Sequence, residues 1–180
     1  MKKIIYLLFI LLLLSGCSKS LNKVDIETYE VDMSAYAGIS YNDHMFKGTT
    51  VKELEKVMNE KGSGVFILSR VNCDHCQMVM QYLNDVAKEL DVTVYYIDAI
   101  SKEYPILHTE NYDILYNILY DYLNEGGEGK EIMTPHLITV VNGKIISSKI
   151  GTTWSGSNYD ENDVRELKNL YKKMLTQFSN

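Results

Sequence analysis

Cysteine is scarce in this chain: three among 180 residues, at positions 17, 73 and 76. Small secreted domains held together by disulfides carry more, spread along their length, so the lone close pair Cys73/Cys76 favours catalysis over stapling. A bridge between residues so near in sequence closes too short a loop to stabilise a fold much. No second Cys-x-x-Cys is present and His44, His108 and His136 are scattered, which makes a zinc site a weaker reading of Cys73, His75 and Cys76. Gln77, not histidine, follows the second cysteine of the pair, and covalent haem attachment is thereby excluded. Long apolar runs are missing as well, since Ile4 to Leu14 is too short to span a bilayer comfortably. Positive charge is in deficit, 18 basic against 24 acidic residues. Such a surface repels nucleic acid and anionic lipid. Gly126-Gly127-Glu128-Gly129-Lys130 lacks the Ser/Thr and the preceding strand of a phosphate loop and reads as a flexible linker.

What is present begins with an export signal: Lys2 and Lys3, the short apolar run, then the small residues Ser15 and Gly16. Leu14-Ser15-Gly16-Cys17 resembles a bacterial lipobox, which implies that residues 1–16 are removed and that Cys17 carries lipid. A lipidated Cys17 is unavailable for disulfides, and it anchors the chain to a membrane on the extracytoplasmic side without crossing it. Cleavage removes two lysines and no acid, so the net charge of −6 becomes −8. Three regions follow: a signal peptide at 1–16, a lipidated N-terminus with tether and edge strand at 17–48, and one domain at 49–180. Ser18 to Lys23 reads as a polar spacer, and Val24 to Lys47 supports at most one or two short edge strands.

Thr50-Val51-Lys52-Glu53 matches a capping box and opens a helix bearing Val51, Leu54, Val57 and Met58 on one face until Gly62-Ser63-Gly64. Val65-Phe66-Ile67-Leu68 reads as a strand buried on both faces. A helix from Cys76 with Val79, Leu83, Val86, Ala87 and Leu90 on one side leads to a second buried strand at Val92 to Ile97. That strand, helix, strand order is a right-handed parallel unit. Thr109 to Asn124 is an amphipathic helix, Leu137 to Val141 and Lys144 to Ile150 are strands joined by the hairpin dipeptide Asn142-Gly143, and Asp160 caps a terminal helix. The fourteen tyrosines occupy apolar positions and read as packing residues, while Trp154 sits in a loop as an exposed contact residue.

Cys73-Asp74-His75-Cys76 places two thiols three positions apart between strand and helix. A cysteine at a helix N-terminus faces unpaired N–H groups and partial positive charge, which stabilise the thiolate that attacks disulfides. Cys73 is thus the nucleophile. Cys76, one turn on, resolves the mixed disulfide. His75 between them reads as a tuner of the thiolate, and His136 as a residue that lies either near the cysteines or on the surface.

The order of elements, with Cys73-Asp74-His75-Cys76, Thr134-Pro135 before a strand, and Asn142-Gly143-Lys144 followed by Gly151, resembles the thioredoxin family. The resemblance covers roughly Thr50 to Phe178. It implies an α/β thioredoxin-like fold: a central mixed sheet flanked by helices, with a helical insertion at about 101–130 before the cis-proline strand. It further implies that Pro135 is cis and that Thr134 and Pro135 bind the substrate chain. Asn72 stands where the family commonly has an aromatic residue, and Ile67 where many members have a buried acid. The Asp-His dipeptide is similar to the Pro-His of DsbA-type oxidases. The long segment before Thr134 is similar to that of bacteriocin-accessory thioredoxin-like proteins. The resulting expectation is a lipid-anchored thiol–disulfide oxidoreductase that acts on cysteines of exported proteins, in either direction. It needs no cofactor beyond its dithiol and is reset by a membrane redox partner. The alternative is a non-catalytic accessory lipoprotein that uses the insertion and Trp154 for partner contact.

Overall fold

A computed structural model describes residues 20–127, 129–156 and 158–179. The signal and the lipobox, including Cys17, lie outside the described residues. Among the described residues seven strands and four α-helices follow in chain order: β1 (Phe46–Gly48), α1 (Val51–Asn59), β2 (Gly64–Ser69), α2 (Asp74–Leu90), β3 (Val94–Asp98), α3 (Glu110–Leu119), β4 (Asn124–Gly126), β5 (Gly129–Glu131), β6 (His136–Val141), β7 (Lys144–Ile150) and α4 (Glu161–Leu175). Five strands form one sheet in the order β1-β3-β2-β6-β7. The first three run parallel, β6 runs antiparallel to β2, and β7 runs antiparallel to β6, back in the direction of the first three.

Alternation along β2 divides the core in two, because neighbouring side chains on a strand point to opposite faces. Val65 and Ile67 face one cluster with Val79, Met80 and Leu83 of α2 and Leu167, Tyr171 and Leu175 of α4. Phe66 and Leu68 face the other, with Val51, Leu54 and Val57 of α1 and Leu115 and Leu119 of α3. The apolar run of β2 is continuous because both faces are covered.

Local signals explain most boundaries. The Thr50 hydroxyl accepts from the Glu53 N–H at 3.3 Å, but the Glu53 carboxylate is drawn to the Glu27 N–H at 3.0 Å, so only half of the expected box forms at α1. Asp160 and Asp163 form the full reciprocal box at α4. Asn142 and Gly143 both have positive φ, 51° and 75°, the turn that matches strand twist in a two-residue hairpin. A Cβ at Gly143 would lie 2.5 Å from the Met58 carbonyl, so α1 closes over that turn.

Three expectations are corrected. The helix begun at Thr109 ends at Leu119 with one tighter turn at Tyr120–Tyr122, short of Asn124. The glycine-rich stretch after it is the β4–β5 hairpin, not a linker, with Lys130 bonded to the Tyr120 carbonyl at 2.8 Å and over its ring. The edge strand expected of the N-terminal region is β1 itself, and the segment before it adds two isolated bridges, Tyr29 to Gly48 and Ser40 to Asp43, and packs Met33, Tyr36 and Ile39 into the core by turns. Nor is the polar spacer free along its length: Asn22 bonds to the Asn142 side chain at 2.9 Å and to the Lys61 carbonyl at 2.9 Å.

Candidate active site

β2 ends at Ser69, and Arg70-Val71-Asn72 carry the chain over the sheet edge to Cys73, the N-cap of α2. The cap forms because the Cys73 sulfur accepts the Cys76 backbone N–H at 3.3 Å, filling one of the unpaired donors of a helix start. On its other side the Cys73 thiol donates to the Thr134 carbonyl at 3.5 Å. Both cysteines are unbridged. Cys73 is 9% exposed and Cys76 is wholly buried behind it. Burial pushes the Cys76 thiol up to about 11, with Cys73 adding to the rise; the Ser69 hydroxyl, the Arg70 N–H and Thr134 act in the opposite direction.

The peptide bond between Thr134 and Pro135 is cis, and this loop faces Cys73 across the sheet edge. Arg70 Nε donates to the Thr134 hydroxyl at 3.3 Å, joining the two loops of the site. His75 is exposed on the first turn of α2, and its side chain makes no hydrogen bond among the described residues. Gln77 is a positioning residue that sequence reasoning passed over. Its amide donates to the carbonyls of Val71 at 2.7 Å and Ala35 at 3.1 Å and accepts the Ala37 N–H at 3.0 Å, pinning both the loop and the N-terminal segment to α2.

His136 is not beside the cysteines. It pairs with Leu68 across the sheet, so its ring points to the α1/α3 face, away from α2. There it is buried, bonded through Nε2 to the Ser148 hydroxyl at 2.7 Å, and held neutral because burial lowers it to about 4. Trp154 is half-buried, not an exposed contact: its ring packs on the core and stacks on Tyr159 at 4.7 Å. Among the described residues no group of three or more His, Cys, Asp or Glu is placed to hold a metal ion. A groove of about 380 Å³ opens beside the dithiol on the α3 side, walled by Arg70, Thr134, Met133, Ile100, Leu107 and Tyr112.

The strand order, the parallel β2-α2-β3 unit, the dithiol at a helix start and the facing proline loop define a thioredoxin-like fold. At its other end, residues 1–18 match the model of the prokaryotic membrane lipoprotein lipid attachment site. The protein is therefore a membrane-anchored, thioredoxin-like lipoprotein. Curated protein sequences return no match. Solved structures that align with the chain include thioredoxin from Aeropyrum pernix, 17% identical, covering 68% of this chain and 84% of that one with a TM-score of 0.39. Thioredoxin from Trypanosoma brucei brucei aligns at 16% identity over 76% of this chain and 96% of that one, TM-score 0.45. Another is the thioredoxin pre-protein of Schistosoma mansoni, at 14% identity over 68% and 90%, TM-score 0.40.

Proposed function

We propose that this lipoprotein is an extracytoplasmic thiol–disulfide oxidoreductase that acts on cysteines of exported proteins. The carrying observation is the pair of unbridged thiols at the start of α2, Cys73 with only its rim open to solvent and Cys76 wholly buried. Only a helix start offers the first sulfur both backbone N–H donors and the positive end of the peptide dipoles. In the reducing direction the Cys73 sulfur attacks a substrate disulfide, one substrate sulfur leaves and is protonated, and a Cys73–substrate bond remains. Cys76 then attacks the Cys73 sulfur, the substrate sulfur departs with the electron pair and takes up the proton Cys76 gave up. The dithiol is oxidised as the substrate disulfide is reduced. Run backwards, the same steps donate a disulfide.

The remaining roles follow from position. The Thr134 backbone, beside Cys73 at the sheet edge and followed by Pro135, receives the substrate chain alongside the dithiol. His75 on the rim adds positive charge near Cys73 when protonated, which favours the thiolate. No cofactor is required, and a membrane redox partner resets the pair after each turnover.

The test is a pair of serine variants with a disulfide-bearing peptide. Cys73→Ser abolishes exchange, whereas Cys76→Ser accumulates a covalent Cys73–peptide adduct that a thiol releases on a non-reducing gel. Exchange that persists in Cys73→Ser overturns the reading in favour of a non-catalytic accessory lipoprotein.

A further inference from the structure

Ser69, Tyr36 and Tyr96 are buried, polar and unused by the exchange chemistry described above. Ser69 closes β2 on the face toward α2, two residues beyond the apolar Ile67. Its hydroxyl lies 3.0 Å from the Tyr36 hydroxyl, which lies 3.0 Å from the Tyr96 hydroxyl. None of the three is more than 3% exposed, so water does not compete for these contacts. Tyr36 comes from the N-terminal segment ahead of β1, held over α2 by the Gln77 bonds to Ala35 and Ala37. The chain of hydroxyls lies in the half of the core that holds Cys76 in one cluster with Tyr36 and Tyr96, and the Ser69 hydroxyl acts to lower that thiol.

A hydroxyl has one proton to donate, so the directions of these contacts are linked. If Ser69 donates to the Cys76 sulfur, it must accept from Tyr36, and Tyr36 must then accept from Tyr96. Three O–H dipoles then point at one sulfur, in a dry interior where each polarises the next. That alignment favours a negative sulfur. It reverses when the sulfur is a thiol that donates to Ser69.

Resting on the exchange reading, we propose that Ser69, aligned by Tyr36 and Tyr96, donates to the Cys76 sulfur as it loses its proton, making the N-terminal segment part of the site. Ser69 is then a catalytic residue for the resolving step, and Tyr36 and Tyr96 are positioning residues. The step is balanced as before: Cys76 gives up its proton, the Cys73–Cys76 bond forms, and the departing substrate sulfur takes the electron pair and the proton. The hydroxyls keep their own protons throughout. Burial supports that, raising Tyr36 to about 12 and Tyr96 further, each with a contribution from Asp98 at the end of β3. The other titratable groups around Cys76 are Cys73 on its own helix and Tyr171 from α4, while Arg70 acts on it through its backbone N–H alone.

The experiment uses the full lipoprotein in detergent, its reduced dithiol mixed with Ellman's reagent. The first release of thionitrobenzoate reports attack by Cys73 and the second reports resolution by Cys76. Tyr36→Phe, which keeps the ring, is expected to slow the second release about tenfold at neutral pH and to move its pH profile up by about one pH unit, leaving the first release unchanged. Ser69→Ala is expected to do at least as much, and the double variant no more than Ser69→Ala alone, because Tyr36 acts through Ser69. The Cβ chemical shift of isotope-labelled Cys76, followed against pH, provides a second readout. Loss of a donor raises the titration midpoint, whereas mere loosening of the core admits water and lowers it. An unchanged or lowered midpoint in Tyr36→Phe overturns the proposal, as do fully additive effects of the two substitutions. A wild-type chain whose Cys73 never reacts sinks the exchange reading instead, and the Cys76 midpoint still reports whether the hydroxyl chain exists.

Discussion

Replacing His136 with methionine should flatten the acid side of the stability profile. In the native protein this imidazole is walled in by the α1/α3 half of the core and is lowered from 6.5 to about 4 by burial. Unfolding returns it to water and to its ordinary value. Above pH 6.5 the ring is neutral in both states and its contribution is fully present. As pH falls from 6.5 toward 4, the unfolded chain takes up a proton that the folded chain refuses, and stability is lost across that window. The difference between the two values corresponds to about 3 kcal/mol. Methionine fills a similar volume without titrating. It forfeits the bond to Ser148, worth about 1 kcal/mol at every pH, while relieving the unpaired Nδ1. Urea unfolding followed by circular dichroism at a series of pH values from 7 to 4 measures both proteins. Carboxylates titrate in the same range in both, so the readout is the gap between the two curves. The wild type should lose about 3 kcal/mol more than the variant on acidification. Parallel curves would show that the ring meets water in the folded state and would refute the argument from burial.

Two other outcomes are expected. Gly143→Ala puts a methyl 2.5 Å from the Met58 carbonyl at a φ of +75°, and should destabilise the domain by several kcal/mol, whereas alanine at the open Gly127, with nothing within 4 Å, should change thermal stability little. Cys17→Ser removes the acceptor sulfur of the lipid attachment site, so cell fractionation should move the protein out of the membrane pellet; retention there would mean that something other than lipid holds it.

Elements whose signals are local were legible from the residues. The buried run of β2, the helix face of α2 and the Asn142-Gly143 turn each carry their pattern within a few positions, and the thioredoxin-like topology follows from their order. What escaped depends on partners remote in sequence. Tyr36 looked like one more apolar tyrosine, and its bond to Tyr96 spans 60 residues. Glu53 fits a capping box until Glu27, from a segment with little periodicity, takes its carboxylate. His136 was decidable in principle, since it shares strand parity with Ile138 and opposes Leu137, which puts it across the sheet from the dithiol helix. Gly126 to Lys130 misled because glycine marks a tight hairpin as readily as a loose connection, and only the clasp of Lys130 on Tyr120 separates the two.

The bonds from Asn22 to Asn142 and Lys61 fix where the leash leaves the domain. That exit lies at the Gly64 end of β2, while the sulfur pair lies past its Ser69 end, a separation of about 20 Å along a six-residue strand. Five residue-to-residue steps separate Asn22 from Cys17, about 18 Å at full stretch. Tension from the bilayer therefore falls on the pole opposite the two thiols, which lie at the end of the domain away from the anchor. On the exchange function proposed above, clients meet the dithiol in solution, and an integral protein that recharges it must raise an arm of its own to that height.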